Sequence, residues 1–146
     1  MSEALPCSVL RKLLLVGASL MLVSGPAVAQ GLSRRPATNE EVLKYQYMAG
    51  LSVCILTQQG VPFKTAFPAA NVMTAVTLRE LNGSEINQGS KVVKLTEQQL
   101  ESGGVPGIVG AVDGLCGKNL KGEDKVEFDK LKSQVQAFLK SATTKP

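Results

Sequence analysis

The chain has 146 residues, with no histidine, no tryptophan, six aromatic side chains and a formal net charge of +4. The missing imidazoles exclude a Ser-His-Asp or Cys-His catalytic arrangement and leave a zinc or iron site without its usual nitrogen ligands. So small a charge excess, with so few aromatics, gives no basic or base-stacking surface for nucleic acid.

The first 29 residues read as an export signal. Arg11 and Lys12 precede the apolar run 13–23, which is too short to span a bilayer of ~30 Å as a helix. Ala27 and Ala29 flank Val28 in the A-x-A pattern that signal peptidase cuts after. The alternative is an uncleaved anchor, which the shortness of the run disfavours. No cysteine follows the cut, which argues against a lipoprotein. Arg34 and Arg35 come after the apolar run, so they are not a twin-arginine signal. The mature chain is expected to start at Gln30. It then carries fourteen basic and eleven acidic side chains, a net charge of +3, over 117 residues. That is one domain with a modest core. Periplasm, an internal lumen and the exterior are all reached by such Sec-type signals, and no stable membrane insertion is expected after processing.

Residues 30–37, QGLSRRPA, are polar and broken by Gly31 and Pro36, and are expected to form a disordered leader. The helical domain is expected over residues 38–142, with 143–146 as a frayed tail. Its first helix runs from Thr38 to Gln59. Thr38 caps the free N–H groups, and Glu41 reaches back three residues to complete a capping box. Leu43, Tyr47, Leu51 and Cys54 share one side, widened by Met48 and Ile55, while Val42, Ala49, Val53 and Leu56 lie opposite. A helix apolar on most of its circumference is expected to be surrounded by other elements.

Gly60 and Pro62 make a short connection, and a second helix is expected over residues 65–82 with Pro68 in its first turn. Ala69, Val72, Met73 and Val76 cluster on one side of it, with Asn71, Thr74 and Asn82 on another. Asn82-Gly83 is a stop signal. Residues 84–95 admit two readings, a helical extension to Gln88 or a short extended segment over 91–95. Thr96 and Gln99 make a second capping box, with Leu95 and Leu100 at the hydrophobic-staple positions, and Gly103 and Gly104 end that short helix. The stretch 105–117, VPGIVGAVDGLCG, is not a phosphate loop: Gly117-Lys118 is followed by Asn119, and Val112 stands where the first glycine belongs. It reads as a small-residue helix starting near Pro106, whose glycines let it approach the first helix and bring Cys116 to Cys54. The last helix, residues 123–141, places Phe128, Leu131, Val135, Phe138, Leu139 and Ala142 on one stripe, expected to face the core. The resulting fold class is all-α, a small domain of four to five helices.

Cys7 leaves with the signal, so Cys54 and Cys116 remain as an even pair. In an oxidising compartment such a pair forms a disulfide, and without a C-x-x-C motif the bridge is structural. Neither cysteine is then free to bind metal, and no acidic cluster has calcium-loop spacing, so no metal and no cofactor are expected. Ser52 and Ser102 have no neighbouring base. Two functions remain. The first is a non-enzymatic structural or interaction module of the cell envelope or exterior, acting on an unidentified protein partner. The second is a carrier of a small apolar ligand, with Tyr47, Met48, Phe67, Met73 and Val76 as candidates to line its cavity.

Cys54, Gly60, Phe63, Ala66, the cap at residues 95–100 and Cys116 together resemble a group of short secreted two-cysteine helical proteins found in cyanobacterial genomes. The resemblance implies an exported helical domain of unknown role. Some members bear a cyclic-nucleotide phosphodiesterase label, but metal-dependent phosphodiesterases use histidine-rich sites, which this chain lacks.

Overall fold

The computed structural model describes residues 34–143. The expected signal peptide 1–29, the first part of the expected leader and the extreme tail lie outside the described residues. The order of elements is α1 (Asn39–Gln58), α2 (Phe63–Asn82), β1 (Glu85–Gln88), β2 (Lys91–Lys94), α3 (Glu97–Gly103), α4 (Val105–Leu115) and α5 (Gly122–Thr143). The architecture is all-α with one small antiparallel hairpin, in which Glu85 pairs with Lys94 and Gln88 with Lys91. The hairpin settles residues 84–95: the chain leaves α2 through Gly83, at φ 63°, and turns back on itself at Gly89.

Both capping boxes form. The Glu41 amide donates to Thr38 Oγ1 at 3.2 Å and the Thr38 amide to Glu41 Oε2 at 2.9 Å; Thr96 and Gln99 repeat the exchange at the start of α3. The Leu95 and Leu100 staple lies in the smaller of two core clusters, with Ala37, Ala75 and Leu78.

The second helix departs from its expected start. It begins at Phe63, so Pro68 is its sixth residue and removes a hydrogen bond inside the helix rather than sitting harmlessly in the first turn. Pro62 offers no side-chain cap, and the cap comes from another element: the Phe63 amide donates to Asp124 Oδ1 at 2.7 Å, and Lys64 pairs with Glu123 at 2.9 Å. The acidic start of α5 therefore serves the positive end of α2 as well as its own.

The larger core cluster brings together α1, α2, α4 and α5. Val53, Ile108 and Val112 are fully buried, and the Phe128 ring meets Phe63 edge-on at 5.8 Å. Two glycines set the α1–α4 approach. A Cβ on Gly50 would stand 2.5 Å from Ala111 Cβ, and one on Gly107 would overlap the Gln46 carboxamide. Gly110 and Gly114 meet nothing within 4 Å, so only Gly107 of the α4 helical glycines serves this contact. The close approach carries Cys116 to Cys54, and the two form a disulfide with Cα atoms 5.8 Å apart across 62 residues. In the chain-entropy view, closing a loop of that length is worth about 4 kcal/mol.

The leader is not disordered up to residue 37. Ala37 is fully buried and pairs with Ile86 in parallel, its amide donating to Glu85 and its carbonyl accepting from Asn87, both at 2.8 Å. The buried Asn82 donates to the Arg35 carbonyl at 3.0 Å, and Arg35 grips Glu41 through both guanidinium nitrogens. Composition marks this stretch as polar, but the hairpin edge and Asn82 give its backbone partners that no local pattern reveals. On α5 the apolar stripe is buried at Phe128 and half-buried at Leu131 and Val135, and Phe138 and Leu139 are exposed.

Candidate functional site

On α1 the side that packs is the one built of small residues. Ala49, Gly50, Val53 and Cys54 are buried against α2 and α4. The side with larger residues faces out: Leu43 is 63% exposed, Met48 58%, Tyr47 51% and Ile55 46%. This corrects the expectation that α1 is surrounded. Helices approach closely where side chains are small, so the small-residue side takes the neighbours and the bulky side is left.

On α2, too, the side expected to pack is partly the exposed one, although here large residues fill the buried stripe. Its buried stripe runs through Phe63, Ala66, Phe67, Ala70, Thr74 and Leu78, whereas Val72 and Met73 are exposed. Thr74 tolerates burial because its hydroxyl donates back to the Ala70 carbonyl at 3.0 Å.

Two open grooves flank α1. One, of about 470 Å³, lies between α1 and α4; Leu43, Tyr47 and Met48 form one wall, and Gly107 and Ala111 the floor. Its end carries an ion pair, Lys44 Nζ to Glu40 Oε1 at 2.7 Å, and hydrogen bonding to Glu40 raises the Lys44 pKa. The second groove, of about 300 Å³, lies between α1 and α2; Met48 and Met73 stand over it, and Ser52, Ala69 and Thr77 complete its sides. Met48 lines both grooves, so the exposed surface runs continuously across α1.

The five residues proposed to line one internal cavity are therefore not brought together. Tyr47 and Met48 line the first groove, and Met48 and Met73 the second. Phe67 is buried in the core, its ring 5.5 Å from Phe63, and Val76 is half-buried on α2. The sequence pattern groups Leu43 and Ile55 with Tyr47 and Met48 on one side of α1 but does not mark that side as surface. That grouping also holds Cys54, which the structure buries with Ala49, Gly50 and Val53, so the boundary between the packed and the open side runs through the side read as one.

Among the described residues, no three of the His, Cys, Asp or Glu side chains stand together in a way that could hold a metal ion. The most perturbed carboxyl is Glu41, held down to about 2 by the Arg35 guanidinium and, after it, by the Thr38 cap, which is a structural arrangement at a helix start. Asp113 pairs with Lys132 at 2.6 Å, tying α4 to α5. No helix among the described residues is long and apolar enough to cross a membrane.

A family profile described as a domain of unknown function, DUF8650, matches residues 40–144. The chain belongs to the DUF8650 family. The matched span takes in the described helices, but for the first residue of α1, and both bridged cysteines, so it covers most of the disulfide-stapled fold. No curated protein and no solved structure matches the chain.

Proposed function

We propose that this DUF8650 domain is an exported, non-enzymatic interaction module that binds a protein partner through the outward face of α1. The observation that carries the reading is the row Leu43, Tyr47, Met48 and Ile55, four large apolar side chains each about half exposed or more along one helix. Scattered exposed apolar residues are ordinary, but several large ones on one helix, three of them lining an open groove, are the kind of surface that protein partners cover. Export is supported by the n-region, apolar run and A-x-A site at the N-terminus, and by a disulfide, which persists in oxidising compartments.

The test is partner capture from the exported fraction by the wild-type protein and by Leu43→Asp/Ile55→Asp. A partner held by the wild type and lost by the variant, at equal melting temperature, supports the reading. A partner retained by the variant overturns it. The recovered native protein should have a mass starting at Gln30 and two hydrogens below its reduced form.

A second reading is favoured by the size of the α1–α4 groove. Its 470 Å³ falls within the roughly 300–1,000 Å³ of small-molecule sites. A small apolar ligand there would appear in native mass spectrometry as extra mass that leaves on denaturation.

A further inference from the structure

Sulfur is scarce in this domain. Among the described residues it occurs only in Cys54 and Cys116, which are bridged and buried, and in Met48 and Met73. Both methionines are more than half exposed, at 58% and 63%. They sit on different helices yet line the same α1–α2 groove. Among the described residues there is no tryptophan, no histidine and no free thiol, so there these two thioethers are what a two-electron oxidant can reach.

We propose that Met48 and Met73 form a paired oxidation site, at which a hydroperoxide converts both thioethers to sulfoxides in the folded protein and switches the α1–α2 groove from apolar to polar. In each step a sulfur lone pair attacks the distal peroxide oxygen. The O–O bond breaks as the S–O bond forms, and the departing alkoxide or hydroxide takes the peroxide's proton to leave as alcohol or water. The sulfur is oxidised by two electrons and the peroxide reduced by two. The product is a strong hydrogen-bond acceptor in place of a soft apolar atom.

The fold should survive, because neither side chain belongs to the core clusters that hold the helices together. The same modification of a buried methionine would instead disrupt packing. Oxidation here changes only what the surface offers. The modification stands on exposure and composition alone; its regulatory consequence rests on the reading of this face as a binding surface.

The experiment treats the mature disulfide-bonded protein with hydrogen peroxide and follows peptide mass, melting and binding of an apolar naphthalene-sulfonate dye. Met48 and Met73 should each gain one oxygen at a rate within about threefold of that in the denaturant-unfolded chain, as expected for accessible thioethers. Protection of either by about tenfold or more, or loss of cooperative melting once both are oxidised, overturns the site. Dye binding to the α1–α2 groove should fall severalfold on oxidation in the wild type and be preserved in Met48→Leu/Met73→Leu after the same treatment. Unchanged dye binding in the oxidised wild type overturns the switch. Absence of dye binding to the reduced protein would remove the binding reading and the switch with it, while the mass readout would still decide the modification.

Discussion

The two sides of α1 are both apolar, yet they have opposite fates. One, with Ala49, Gly50, Val53 and Cys54, is pressed into the core; the other, with Leu43, Tyr47, Met48 and Ile55, meets solvent. Hydrophobicity does not separate them, because the outward side chains are the larger and the more costly to leave in water. Size does. A close helix contact needs small residues at the crossing, and the disulfide can be closed only from the side where α4 comes near. The core thus claims the side that permits approach.

The largest way to break this comparison is at the staple. Cys116→Ser should cost about 4 kcal/mol through the freed loop, read as a large drop in melting temperature under oxidising conditions. An unchanged melting temperature would show that the inner side holds without its covalent link. Next comes the crossing itself. Gly50→Val places a branched side chain where even a Cβ stands 2.5 Å from Ala111, and should destabilise by about 1–3 kcal/mol. Combining it with Ala111→Gly should recover part of that loss, as expected for neighbours in contact.

A smaller effect is expected at the start of the helix, where Arg35 and Thr38 hold Glu41 near 2, below its ordinary 4.5. Since the folded state binds this proton less tightly than the unfolded state, the contribution is complete above about 4.5. It is lost as pH falls through about 2. Acid titration of stability should therefore be flatter in Arg35→Ala across that window. An identical acid limb would mean that the guanidinium does not set the carboxyl.

The smallest effect sharpens the contrast most. Leu43→Gln and Tyr47→Gln should each change stability by no more than about 0.5 kcal/mol, since exposed positions on a helix tolerate a good helix former. A loss as large as that of Gly50→Val would show that the outward side also carries the fold.

Much of the fold was legible where the determinants are local. The two capping boxes are read within four residues, and the staple at Leu95 and Leu100 follows from them. The disulfide followed from counting, because the expected loss of Cys7 with the N-terminal segment leaves two cysteines and one pairing. The packing side of α1 and α2 was not legible from periodicity, which scores Met73 above Thr74 although the structure buries the threonine. Its hydroxyl is satisfied within its own turn, a detail invisible to a hydrophobic count. The docking of residues 34–37 was hidden for a different reason: Ala37 has its partners on β1, nearly fifty residues away, and the EINQ and KVVK strands are themselves too short to announce a hairpin. The outward face was written in the sequence as bulk, but bulk alone reads equally as core.

The hydrogen bond from Phe63 to Asp124 spans 61 residues, and it makes the start of α2 depend on a part of the chain synthesised much later. A chain made from its N-terminus has all of α2 before Asp124 exists. The helix can nucleate early, but its first turn stays open at the amide end until α5 arrives, and arrival requires closure of a long loop. Fragments ending before residue 120 should accordingly show rapid amide exchange at Phe63, and protection there should return when α5 is supplied. The first turn of the second helix is thus completed by the last described helix.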